Sequence, residues 1–218
     1  HQLPYDPSQY LYPWVDVHPQ GDLESIYDKQ KADPQEAILA DLAAKNQNPV
    51  ADEPAYRPES GGQDNCEHVV PQSWFNKKLP MRGDLHHLFA CDVQSNSKRG
   101  NSRYADLTGG QRTPEGVLDA SDNEFDPDAG RGAVARATLY FLLRYPGEVG
   151  DRSSEYSAKD VATLLKWNHD YPPTEYEHHR NEEIFKMQGN RNPLIDFPDL
   201  ANKIDFTEGL AAQARKAA

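Results

Sequence analysis

No stretch of this chain approaches the ~18 consecutive apolar residues of a membrane span, so no membrane-spanning helix is expected. Sulfur is scarce. Cys66 and Cys91 are the only cysteines in 218 residues, so at most one disulfide can form within the chain. Basic residues are in deficit, 23 against 35 acidic, for a net charge of −12. A body of that sign is a poor candidate for coating nucleic acid through bulk charge, although a local basic cleft stays open to it. There is no internal repeat and no low-complexity tract, and the composition excludes collagen, coiled coil and wholesale disorder. What is present is a modest apolar fraction, 37%, with 10% aromatic residues, enough for one core carrying long polar loops. The length suits a single compact domain with extensions. The chain begins at His1 with neither a charged nor an apolar leader before it, as a processed exported protein would.

Residues 1–23 are rich in Tyr and Pro and read as an irregular arm laid over the body through Tyr10, Tyr12 and Trp14. Ile38, Leu39, Leu42 and Ala43 recur at helical spacing and predict a short helix over 35–46. Residues 47–63 carry Pro, Gly and Ser without a period and read as a loop. In the block 65–104, CEHVVP predicts a strand, DLHHLFA a second strand or extended segment, and DVQSNSKRG a short helix turning at Gly100. Residues 106–130 read as a polar loop; its acidic residues lack the ligand spacing of a calcium-binding loop. Three helices follow: 130–146, stopped by Pro146; 157–173, with Ser157 and Asp160 as a capping pair; and 174–190, capped by Thr174 and stopped by Gly189. The last eight residues read as a frayed helical tail.

Unusual chemistry concentrates in the central block. Glu67 and His68 are adjacent, as are His86 and His87, and Asn96, Arg99 and Asn101 follow closely. Neighbours on a regular strand point to opposite faces, so Glu67 and His68 can share a site only at a strand end or bulge. One reading is a hydrolytic metal site: a hard divalent ion takes oxygen from Glu67 and Asn96, and His68 serves as general base for an attacking water. The plainer reading is a surface pair beside a turn residue. A cysteine nucleophile, Cys66, is disfavoured, because the adjacent carboxylate raises the thiol pKa. Histidines 178 and 179 lack a third ligand in register and read as surface residues.

Four blocks carry a resemblance: CEHVVPQSWF, PMRGDLHHLFACDVQSNSKRGNSRY, FDPDAGRGAVARATLYFLLRYP and EIFKMQGNRNPLIDF. In this order they resemble the bacterial endonuclease I family, secreted or periplasmic nucleases of the His-Me finger (ββα-metal) class. The similarity runs over about 66–197, leaving 1–64 and 198–218 outside it. The resemblance implies an α+β fold: a nuclease core over 65–197, with a ββα-metal finger at 66–101 packed against several helices and long loops. It implies His68 as general base, Glu67 and Asn96 as ligands of Mg²⁺ (Mn²⁺ or Ca²⁺ as alternatives), and Arg99 or Arg82 as the phosphate contact. Asp84, His86 and Asn101 take supporting roles. The implied activity is sequence-nonspecific hydrolysis of DNA, and of RNA as a second substrate, to 5′-phosphate and 3′-hydroxyl ends.

Further expectations follow. Lys77, Lys78, Arg103 and Arg131, with Lys98, Arg112 and Arg136, would form a local positive cleft that binds substrate on an acidic body. An unperturbed His68 with a pKa of ~6.5 would make the rate rise from acid through neutrality. A Cys66–Cys91 disulfide would staple the first strand to the start of the helix. It would be worth ~3–4 kcal/mol by loop entropy and would suit an exported enzyme. A monomer is expected. The reading from a different class is a noncatalytic extracellular module that binds divalent ions structurally.

Overall fold

A computed structural model describes residues 2–47 and 64–212. The expected loop at 47–63 and most of the C-terminal tail lie outside the described residues. The N-terminal segment is helical rather than irregular. Helix α1 (Pro7–Tyr10) runs into a π-helical turn over Leu11–Val15. Asp6 caps α1 by accepting from the Gln9 N–H, a side-chain role that proline-rich composition had masked. Leu11, Tyr12 and Val15 are buried, but Trp14 is 62% exposed, so it does not anchor the arm. Strands β1 (Leu23–Glu24) and β2 (Lys31–Ala32) form a small hairpin, and α2 covers Pro34–Gln47.

The ββα finger follows as expected in order, with shifted bounds. Strand β3 (Asp64–His68) pairs antiparallel with β4 (Leu88–Asp92), and helix α3 (Val93–Arg99) follows directly. Asp92 caps α3 by accepting from the N–H groups of Gln94 and Ser95. Residues 85–87 form a 3₁₀ turn rather than strand, because the Asp84 side chain accepts from the His86 N–H and closes a turn there. The long β3–β4 connection ends in this turn and in another over Met81–Gly83.

The polar stretch 106–130 is a sheet, not a loop. Strands β5 (Arg103–Tyr104), β6 (Gln111–Thr113), β7 (Gly116–Asp119) and β8 (Glu124–Pro127) lie in the order β5-β8-β7-β6, with β5 parallel to β8. The strands are two to four residues long, too short for alternation to register against the flanking acids.

Helices α4 (Arg131–Arg144), α5 (Ala158–Asp170) and α6 (Glu175–Gln188) match expectation, and α7 (Pro193–Asp196) is a single added turn. Both capping boxes form, Ser157 with Asp160 and Thr174 with Glu177. Helix α4 is buried continuously over 134–142, as a helix at the centre of a core must be. The larger core joins α4 and α5 to one face of the finger through Val69, Phe89, Cys91, Phe141 and Leu164. A smaller core packs the N-terminal segment on the other face through Leu11, Val15, Leu88 and Ala90.

That two-faced packing decides the cysteines. In the β3–β4 register, Cys66 faces Ala90, and Cys91 faces Asn65. The two thiols therefore point to opposite faces of the ribbon, one toward each core. Cβ vectors that point apart cannot be bridged, and both cysteines are free. The expected disulfide is absent.

Candidate active site

Glu67 and His68 end strand β3, and alternation sends their side chains to its two sides. Glu67 is 2% exposed and lies on the α3 side. Its Oε1 accepts from Tyr27 Oη at 2.7 Å and from Arg99 Nη1 at 2.7 Å. Burial pushes its carboxyl upward, and the Arg99 charge and the Tyr27 hydroxyl oppose that. Asn96 reaches the same face. Its Nδ2 donates to Asn65 Oδ1 at 2.8 Å and to the Cys66 carbonyl at 3.3 Å, which leaves Oδ1 outside these bonds. The two expected ligands are thus brought together by one turn of α3: Arg99, three residues after Asn96, grips Glu67 itself.

His68 lies on the other side, 6% exposed. Its Nε2 is 3.1 Å from the Arg82 carbonyl. A carbonyl only accepts, so Nε2 carries the proton and Nδ1 keeps its lone pair. Burial holds the imidazole well below its ordinary pKa, and the neighbouring His87, Arg82 and Arg99 act the same way. His68 is therefore neutral through the neutral range, with its protonation below the ordinary ~6.5. Tyr5 lies over the imidazole, ring centroids 5.1 Å apart, and the Arg82 guanidinium sits 4.9 Å from the Tyr5 ring centre.

The two arginines separate in role. Arg99 is 1% exposed; besides Glu67 it donates to the His68 carbonyl at 3.0 Å and the Val69 carbonyl at 2.6 Å. It is a clamp across the end of β3, with no donor turned to solvent for a phosphate, so the phosphate-contact expectation for Arg99 is corrected. Arg82 is buried beside His68, makes no ion pair among the described residues, and leaves Nε without a hydrogen-bond partner. It is the candidate that remains.

The positive cleft is largely neutralised within the protein. Arg103 pairs with Glu124 and Asp160, Arg131 with Asp126, Lys98 with Glu115, Arg112 with Asp128, and Arg136, 1% exposed, with Glu177. Lys78 is exposed and 3.6 Å from Glu148, and Lys77 is exposed beside it. Asp84 is buried and accepts from Tyr140 Oη, Tyr145 Oη and Gln188 Nε2, which fixes the turn before β4. His86 Nε2 lies 3.1 Å from the Asn190 carbonyl, tying that turn to the end of α6. Asn101 is exposed and meets the body through its carbonyl, which accepts from Asn123.

Sequence reasoning missed Tyr5, Tyr27 and Tyr104, and noted His87 without giving it a role. His87 Nε2 is 2.6 Å from the Met81 carbonyl, so two histidines hold successive carbonyls of the loop that orients His68. Tyr5 and Tyr27 come from the segment set outside the family resemblance, and only its density of tyrosine hinted at a role.

The finger register, the neutral His68 and the Glu67–Asn96 face coincide with a match to the Endonuclease I family model over residues 8–199. The chain belongs to the Endonuclease I family. The match takes in the N-terminal helices and hairpin, so family likeness begins well before the expected boundary at 65. The chain is 37% identical over 161 residues to an extracellular ribonuclease of Bacillus amyloliquefaciens, covering 66% of this chain and 55% of that protein. It is 33% identical to an extracellular deoxyribonuclease of Aeromonas hydrophila over 63% of this chain and 57% of the relative. A periplasmic deoxyribonuclease of the same organism is 32% identical over 63% and 55%. The chain thus spans about half the length of the curated relatives it matches. Among the described residues, no helix is long and apolar enough to cross a membrane.

Proposed function

We propose that this chain is an exported, divalent-metal-dependent endonuclease that hydrolyses phosphodiester bonds without sequence preference. The observation that carries the reading is the 3.1 Å contact between His68 Nε2 and the Arg82 carbonyl. With Nε2–H given to the Arg82 carbonyl, Nδ1 is the base, and burial keeps it unprotonated at neutral pH.

The donor set suits a hard cation. One carboxylate and one amide oxygen, completed by waters, is what Mg²⁺ or Mn²⁺ takes, and Ca²⁺ remains an alternative. Such a site needs no cluster of three His, Cys, Asp or Glu, and none occurs among the described residues. The Tyr27 and Arg99 side chains bond Glu67 Oε1 and leave Oε2 to the ion, which Oε2 and Asn96 Oδ1 would hold. Bound there, the ion would neutralise charge on the phosphate and the departing 3′ oxygen. Arg99 already pairs with Glu67, which lowers the site's negative charge and favours modest affinity.

His68 Nδ1 removes a proton from a water, which attacks phosphorus in line with the 3′ oxygen. The bond from phosphorus to the 3′ oxygen breaks, the departing oxygen takes a proton from solvent water, and the products carry a 5′-phosphate and a 3′-hydroxyl. Arg82, beside the imidazole, is placed to steady the phosphate. Because Glu67 and His68 leave β3 on opposite sides, the scissile phosphate must lie across the end of that strand. The nucleophile is water, not a 2′-hydroxyl, so DNA and RNA are both substrates, in keeping with relatives named for each. Export is supported by relatives named extracellular or periplasmic.

The test is plasmid nicking in Mg²⁺, with and without chelator, followed by labelling of the ends. Chelator-sensitive nicking that leaves 5′-phosphates is the expected result. Metal-dependent stability without nicking would instead favour a noncatalytic ion-binding module.

A further inference from the structure

Two side-chain donors meet at one oxygen of the Glu67 carboxylate, Oε1, and one of them comes from far outside the finger. We propose that Tyr27 is a positioning residue for Glu67, fixing the rotation of the carboxylate so that Oε2 is presented to the metal. The inference rests on the function proposed above and extends it to residues of the N-terminal hairpin.

The direction of the bonds follows from proton count. An ionised carboxylate only accepts, so the single Tyr27 proton points to Glu67 Oε1, 2.7 Å away. The Tyr104 hydroxyl, 2.6 Å from Tyr27 Oη, must then donate to Tyr27. The chain Tyr104 to Tyr27 to Glu67 is polarised one way. Its far end is fixed, because the Arg99 guanidinium stacks 4.8 Å from the centre of the Tyr104 ring. Arg99 alone would leave Oε1 one side-chain donor. Two side-chain donors, from α3 and from the hairpin, meet at that oxygen and restrict the rotation of the carboxylate.

Tyr27 is itself rigidly placed. The turn between β1 and β2 is bonded to the finger at several further points. The Ile26 N–H donates to the Ala90 carbonyl at 3.1 Å, the Asp92 N–H to Ser25 Oγ at 3.1 Å, and Ser95 Oγ to Asp28 Oδ2 at 2.7 Å. The Tyr27 carbonyl accepts from the Ala129 N–H at 3.2 Å. Gly130, with φ of 74°, abuts the same turn: a Cβ there would fall 2.5 Å from the Ile26 carbonyl oxygen. A tyrosine held by four bonded neighbours and buried completely, with its only hydroxyl proton directed at a metal ligand, has the anatomy of an outer partner that orients a ligand.

The experiment is isothermal titration of Mn²⁺ into the full chain without substrate, for wild type, Tyr27→Phe, Tyr104→Phe and Glu67→Gln, with melting temperatures taken alongside. Loss of such an outer partner typically weakens metal binding ~10–100-fold. Tyr27→Phe is expected to raise the Kd about tenfold or more, with a smaller rise for Tyr104→Phe in the same direction. A purely structural role would lower the melting temperature and leave the Kd within twofold of wild type, which overturns the proposal. If Tyr27→Phe does not fold, Tyr104→Phe decides: a Kd raised severalfold supports the proposal, an unchanged one overturns it. Failure of wild type to bind Mn²⁺, or binding that Glu67→Gln leaves intact, overturns the metal-site reading and this inference with it. That outcome is distinct from an unchanged Kd in Tyr27→Phe.

Discussion

Arg99→Met removes the guanidinium while keeping most of the aliphatic stem. In the folded chain it strips Glu67, 2% exposed, of its only ion-pair partner among the described residues and leaves the carbonyls of His68 and Val69 without the Arg99 donor. Breaking a buried ion pair from one side costs ~3–5 kcal/mol, and each orphaned buried carbonyl adds ~1–3 kcal/mol unless water reaches it. These terms share one site and do not add fully, so about 4 kcal/mol is a fair central figure. Glu67 can relieve part of it by taking a proton, since burial already pushes its pKa upward. With a urea slope of ~1–3 kcal/mol/M, the midpoint should fall by at least about 1 M. The companion variant Glu67→Leu, made in the Arg99→Met background, should recover part of the loss, because no unpaired charge then remains. Urea unfolding followed by tryptophan fluorescence reads both. If Arg99 instead served an exposed phosphate, its removal would stay within about 0.5 kcal/mol in stability and would appear only as weaker substrate binding. A midpoint unchanged by Arg99→Met would refute the clamp.

His68→Ala should cut the nicking rate by ~10²–10⁴ while leaving Mn²⁺ affinity unchanged, and a variant retaining more than half the wild-type rate sinks the general-base role. Stability should fall as pH drops below ~6.5. His68, His86 and His87 all have folded pKa values below the unfolded one, so the unfolded chain binds protons there before the folded chain does; equal melting temperatures at pH 7.5 and 5.5 would contradict it. Thiol counting under denaturing, nonreducing conditions should find two free cysteines, and reductant should leave the melting temperature alone; a single Cys66–Cys91 bond would show that the β3–β4 register is wrong.

The sequence by itself determined the order of elements in the finger, the three long helices with the Ser157–Asp160 capping box and the Thr174 cap, and the identities of Glu67, His68 and Asn96 as the residues to watch. These are local signals: caps, stop residues and ordered motif blocks are written in neighbouring positions. Tertiary structure decided the rest, because it turns on which face a side chain leaves and what it meets there. Cys66 and Cys91 stand close on adjacent strands, yet a one-residue offset in register sends them to opposite cores. Arg99 and Arg82 are equivalent in sequence; only packing buries one against Glu67 and sets the other beside Tyr5 and His68. Arg103 and Arg136, expected to line a cleft, are consumed by carboxylates many positions away. Tyr27 carries no motif and sits 40 positions from Glu67, so its hydroxyl acquires meaning only when the hairpin docks on the finger.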